Sequence, residues 1–193
     1  MYDKNTSLLE RCCGLVGSIE TSKKAPLCYS SIAGNFDSMG LSFGILQFNV
    51  GQNTLQPLLI EYMNKFSNNF DNIFGNGSSA LKNMLQFTSI TAQLNWTQGI
   101  QRNASILPEW KKKFENLGQT REFQVIQIKA ARRYYDRATK LLNIYNVFSE
   151  RAVALFFDIY VQNGGIKEET KIRILNENKN KVDEVEKLKT IAI

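Results

Sequence analysis

From Leu8 onward the apolar residues Leu8, Leu9, Cys12, Cys13, Leu15, Val16 and Ile19 recur at three- and four-residue steps. That period is an amphipathic helix, and it delivers Glu20 at the C-terminal end. Residues 21–36 break the period with Pro26, Ser30-Ser31 and Gly34-Asn35 and read as a loop. From Gly40 to Val50 the chain is rich in glycine and β-formers, which predicts short extended strands. The helical period returns from Thr54 to Phe74, with Pro57 acceptable in a first turn. Gly75-Asn76-Gly77-Ser78-Ser79 is the clearest linker. A helix through Phe87 follows, then helical segments around 90–102 and 108–117. Arg121 to Tyr145 reads as one long basic helix, and Phe148 to Val161 as an unusually apolar one, the expected central core element. It stops at Asn163-Gly164-Gly165, a helix-ending signal, and Glu168 to Leu188 predicts a charged amphipathic tail helix. There are no repeats and no low-complexity segment. The pattern predicts an α+β fold, predominantly α, with a small β element near the N-terminus.

Composition adds limits to this picture. At 193 residues, 43% of them hydrophobic and 11% aromatic, the chain can bury one substantial core. One domain over 1–193 is expected, with a small β-containing region at about 21–52 and a larger helical lobe at about 53–193. No apolar run approaches the roughly 18 residues of a membrane span. Met1 to Glu10 is polar with both charge signs and is no secretory signal. An extracytoplasmic site of action therefore implies another export route, or a leader or carrier domain outside this chain. The abrupt stop at Ile193 fits a domain taken from something longer.

The net charge is +6, and the stretch 101–140, with ten Lys/Arg against four Asp/Glu, carries the whole excess. Such a surface attracts polyanions such as acidic cell wall, nucleic acid or an anionic membrane. A solvated helix face is the alternative, and it is the default for Lys129, Arg132, Arg133, Arg137 and Lys140. Three cysteines, with Cys12 and Cys13 adjacent and Cys28 apart, do not make a disulfide framework; buried thiols are expected. The chain has no histidine, which removes Ser-His and Cys-His catalysis and argues against a catalytic zinc site. The chemistry is left to carboxylates, hydroxyls and amides, with no metal or organic cofactor implied.

Glu20 at a mostly apolar helix end and Asp37 in a turn-prone stretch 17 residues later suit glycosidic cleavage. That reaction needs one protonated carboxyl to donate to the leaving oxygen and one ionised carboxylate to act on water or carbon. Apolar neighbours such as Val16 and Ile19 would favour the protonated form of Glu20, and a polar loop the ionised form of Asp37. The plain alternatives are a helix-end surface carboxylate and an Asx-type turn residue. Asp158, inside the apolar helix, reads as a buried structural hydrogen-bonder rather than a catalyst.

The run Leu15-Val16-Gly17-Ser18-Ile19-Glu20, followed by Gly34-Asn35-Phe36-Asp37-Ser38-Met39-Gly40-Leu41-Ser42-Phe43-Gly44, resembles the family 46 chitosanases. By that resemblance Glu20 and Asp37 take the catalytic positions, Gly40 a loop glycine, and Ser42 a hydroxyl that helps hold the attacking water. Looser similarity continues through Glu122-Phe123-Gln124 to Gln127, Arg133 to Asp136 and Ala154 to Gly165, so it spans roughly 8–166. Ser42-Phe43-Gly44-Ile45-Leu46-Gln47-Phe48 also resembles the Ser-x-Gly-Leu-Met-Gln signature of goose-type lysozymes and lytic transglycosylases. As a strand, that stretch puts the amides of Gln47 and Asn49 on one face, suited to sugar hydroxyls or acetamido groups. These resemblances imply a lysozyme-like, two-lobed fold with a cleft between the lobes.

Two departures bear on the substrate. Chitosanases carry an arginine where this chain has Met39 and a histidine near Asn163, and they bind a polycation. The excess charge here is positive, which suits peptidoglycan with its peptide carboxylates and associated teichoic acids. The expectation is therefore an inverting, muramidase-like hydrolase of β-1,4 bonds in bacterial peptidoglycan. Its partners are the glycan strands and, for an exported antibacterial toxin effector, a cognate inhibitor or immunity protein; nucleic acid is not among them. Chitosanase, lytic transglycosylase and a non-catalytic wall-binding module are the alternatives. Phage lysin, effector and autolysin all fit, the missing signal favouring the first two.

Overall fold

The structure, a computed structural model, describes residues 7–192. Most of the polar start read as no signal (1–6), and the stop at Ile193, lie outside the described residues. The chain is 69% helix and 5% strand, so the predominantly α class with a small β part holds. It divides into two compact units: Cys13–Ala130, and the described parts of Met1–Cys12 and Ala131–Ile193. The boundaries fall inside two helices, α1 (Leu8–Thr21) and α7 (Arg121–Tyr145).

α1 starts on a reciprocal cap: the Glu10 N–H donates to the Ser7 hydroxyl, and the Ser7 N–H donates to the Glu10 carboxylate at 3.2 Å. In the Cys13–Ala130 unit a 3₁₀ turn (Leu27–Ser30) leads into a three-stranded antiparallel sheet of β1 (Ile32–Ala33), β2 (Ser42–Phe43) and β3 (Phe48–Asn49). In register, Ser42 pairs with Ala33 on one side and Asn49 on the other. Phe43, fully buried, packs against Phe114 and Phe123 with ring centroids 5.3 and 5.7 Å apart. The β sheet thus sits on the aromatic core to which α6 (Pro108–Gln119) and α7 contribute.

The single helix expected from Thr54 to Phe74 is two, α2 (Gln56–Lys65) and α3 (Ser67–Phe74). Phe66 leaves helical geometry at φ −134°, ψ 47°, and the break lets Leu59, Tyr62, Phe70 and Phe74 all reach full burial. The Gly75–Gly77 stretch read as a linker is a 3₁₀ turn directly continued by α4 (Ser78–Gln86), and Lys113 donates to Asn76 across it at 2.6 Å. The segment read as helical over 90–102 stops earlier, because α5 (Ile90–Gly99) ends at a glycine. A small hairpin follows, β4 (Gln101–Arg102) and β5 (Ser105–Ile106), turning through Asn103 and Ala104, both at positive φ.

In the second unit α8 (Glu150–Asn163) is capped by the Ser149 hydroxyl and ends at Gly164 in the left-handed conformation, as the sequence signalled. Ala152, Val153, Phe156 and Phe157 face the core, and the Phe156 ring stacks on Tyr145 at 5.3 Å. The expected tail helix is two, α9 (Glu168–Asn178) and α10 (Glu184–Ile191). The second one restarts where the Asp183 carboxylate accepts the Glu186 N–H at 3.0 Å, an N-cap that the charge pattern concealed. Among the described residues no helix is long and apolar enough to cross a membrane.

Candidate active site

All five residues proposed from the sequence lie in the Cys13–Ala130 unit. Glu20 is half-buried in the last turn of α1. One turn before it, Gly17 lies so close to the hairpin that an added Cβ would stand 3.1 Å from the Ile45 carbonyl oxygen and 3.3 Å from Cys28 Sγ. Glycine at 17 therefore lets the helix end rest on the β2–β3 turn, and Glu20 follows from there. Ile19 points away and is 63% exposed, so Val16, which is buried, is the apolar neighbour that the fold supplies.

Asp37 sits exposed at the tip of the loop 34–40. Its Oδ1 accepts the Met39 N–H at 3.1 Å, an Asx-type turn that fixes the tip. Asn35 closes the loop from inside, its Oδ1 accepting the Gly40 N–H at 2.9 Å, and the Asn35 N–H donates to Gln101 Oε1 at 2.6 Å. At the base, Gly34 touches the β4–β5 turn so closely that a Cβ would overlap the Ala104 carbonyl, and Gly40 takes φ +80° against Leu94 and Thr97. The loop exit is tied to the hairpin as well, since the Gly51 N–H donates to the Met39 carbonyl at 2.9 Å and the Val50 N–H to that of Leu41 at 3.1 Å. A loop pinned at this many points holds its carboxylate in a defined place.

The other three residues share one hairpin. Ser42, in β2, is only 3% exposed. Asn49, its register partner, is 8% exposed and spends its Oδ1 on the Gln52 N–H at 2.8 Å. Gln47 is not in a strand: residues 44–47 form the turn, Gln47 has φ +48°, and its Nε2 donates to the Gly44 carbonyl at 2.9 Å. The shared strand face expected for Gln47 and Asn49 therefore does not form, because the glycine at 44, at φ +82°, starts the turn before the alternation can run. Both amides hold the hairpin together.

The structure brings forward amides that the motif did not. Gln127 is fully buried; its Oε1 accepts the Ile45 N–H at 2.9 Å and its Nε2 donates to the Tyr29 carbonyl at 3.0 Å. Beside the Asp37 loop, Asn35, Gln98, Gln101 and Asn103 line, with Ala104, a recess of about 200 Å³. Gln98 and Asn103 are exposed there. The spacing of Gln98 and Gln101 by one helical turn was the available signal in the sequence.

Burial pushes the Cys12 thiol up to about 11, against the opposing pull of Arg11, and raises that of Cys28 as well. Both are buried thiols without a disulfide, in the state least suited to thiolate chemistry near neutral pH. Among the described residues no three His, Cys, Asp or Glu side chains gather as a metal-holding group. The chain matches no protein-family model and no curated protein sequence.

Proposed function

We propose that this chain is a glycoside hydrolase that cleaves β-1,4 bonds of bacterial peptidoglycan through a lysozyme-like cleft, with Glu20 as general acid. The observation that carries the reading is the amide-lined recess at the foot of the rigid Asp37 loop. Neutral amides that both donate and accept suit sugar hydroxyls and acetamido groups, and a pinned loop next to them suits a catalytic carboxylate. Glu20, half-buried at a helix end, donates a proton to the leaving oxygen. Asp37, exposed to solvent, activates water for an inverting attack, which calls for carboxyl groups roughly 6.5–9.5 Å apart. Ser42 is too deeply covered to meet bulk water, so its part in holding the attacking water is the weakest in the reading.

A second reading is favoured by one observation: the Asp37 carboxylate already caps its own turn at Met39. With Asp37 purely structural, Glu20 alone would act, as in a lytic transglycosylase. Purified sacculi digested by the wild type, Glu20→Gln and Asp37→Asn, with products read by mass spectrometry, separate these cases. Glu20→Gln should lower fragment release by at least about 100-fold; unchanged release refutes the central assignment. Asp37→Asn should fall comparably and the wild-type products should carry reducing ends. Near-full activity of Asp37→Asn with anhydro products moves the assignment to the transglycosylase.

A further inference from the structure

We propose that Phe36 and the amide-lined recess beside it form a subsite for one N-acetylated sugar, the ring against the sugar and the acetamido group in the recess. The inference rests on the glycan reading above and deepens it by naming the residues that select the acetylated polymer. The recess measures about 200 Å³. Sites that enclose a whole small molecule run to roughly 300–1,000 Å³, so this one takes a substituent and leaves the sugar ring outside. Asn35 lines the recess, and Phe36 follows it directly on the same loop. Phe36 is 74% exposed, the most exposed phenylalanine among the described residues. The bonds that pin the loop on both sides of it hold the ring in water. An apolar ring held there gains by being covered. The C–H face of a pyranose covers it and brings polar groups to the neighbouring amides.

The lining decides which sugar. Gln98 and Asn103 are exposed, and their side-chain amides make no hydrogen bond within the described residues. Asn35 spends its Oδ1 on Gly40 and leaves its Nδ2 open. Gln101 is spent twice, accepting the Asn35 N–H and donating to the Thr97 carbonyl at 2.9 Å, so it builds the wall rather than reading a ligand. The open amides offer a donor for an acetamido carbonyl and an acceptor for its N–H. Ala104 supplies a methyl group at the same recess while holding φ +59°, a conformation that glycine or asparagine takes more easily. An acetyl methyl finds its apolar contact there. Among the described residues that line the recess, none is charged. A deacetylated sugar brings an ammonium, which would lose water here without gaining an acid.

Calorimetric titration of the full chain with the N-acetylglucosamine trimer and with its deacetylated form, the glucosamine trimer, tests the subsite. The acetylated trimer should bind with a Kd of about 1 mM or lower, and the glucosamine trimer at least about 10-fold more weakly. Phe36→Ala should weaken the acetylated trimer about 10-fold. Gln98→Ala, and Asn103→Gly, which keeps the left-handed turn, should each weaken it several-fold. All three melting temperatures should stay within about 2 °C of the wild type, since these side chains are exposed. No binding of the acetylated trimer up to about 10 mM, equal binding of both trimers, or wild-type binding by Phe36→Ala overturns the proposal. Digestion of sacculi supplies the second readout. Phe36-dependent binding with no release from sacculi leaves the subsite standing and removes the hydrolase; release with no Phe36-dependent binding does the reverse.

Discussion

The β region of residues 27–56 and the helical end of residues 147–192 are held by different means. In the first, side-chain amides stitch backbone to backbone: Gln127 joins the hairpin turn to the 3₁₀ turn, Gln101 holds Asn35, and Gln56 Nε2 donates to the Val50 carbonyl at 2.8 Å. Its strands are two residues each, too short for ladder bonds to satisfy the backbone. In the second, helices satisfy their own backbone, and buried Val153, Phe156, Phe157, Ile174 and Leu188 supply the cohesion. A region built of loops needs polar side chains inside it, and each becomes a point where one change releases several bonds. Helices packed by apolar faces spread the same stability over many small contacts.

Replacement of one buried side chain by leucine in each region measures that contrast. Gln127→Leu removes the bonds to the Ile45 N–H and the Tyr29 carbonyl from a fully buried site, and should cost about 3–5 kcal/mol. Phe156→Leu removes ring atoms from an apolar site that keeps its chemistry, and should cost about 1–2 kcal/mol. Urea unfolding of both variants, with unchanged slope, gives the two numbers directly. Equal losses would show that the amide clamp carries no more than its packing.

The contrast also decides what could be read from the chain. Helices announced themselves wherever one face is buried, as in α1, α7 and α8, since period and burial coincide there. The breaks at Phe66 and at 179–183 did not show. Phe66 interrupts a helix between Lys65 and Ser67, with no glycine or proline to mark the break, and Asp183 is one acid among many in a charged tail. Near the candidate site, Glu20 and the Asp37 loop followed from local residues, because helix ends and glycine turns are local events. Gln127 and Gln101 act on partners 82 and 66 positions away, and no local pattern encodes that reach. The strand alternation assumed for Gln47 failed for the opposite reason: a turn interrupts it, as the left-handed Gly44 and Gln47 reveal.

The caps at the edges of the helical end are single polar groups too, and their effects should be smaller. The Ser149 hydroxyl accepts the Ala152 N–H at 3.1 Å and satisfies one of the open donors of α8. Ser149→Ala should cost about 1 kcal/mol, read from the urea midpoint, with near-native circular dichroism. A loss as large as that of Gln127→Leu would erase the distinction between clamp and cap.

Glu184 gives the smallest and most diagnostic effect. The Ser149 side chain and then the N–H groups of Phe148 and Ser149, at 2.9 and 3.1 Å, hold its carboxyl below the usual carboxylate range. Depression in the folded state means that its contribution is complete above the unfolded value, about 4.3, and disappears as pH falls through the folded value. The stability difference between the wild type and Glu184→Gln should therefore be greatest near neutral pH and shrink on acidification below about pH 4. Thermal melts of the two proteins across that window test the sign. A difference that grows in acid would mean that the carboxylate burdens this helix entry instead of capping it.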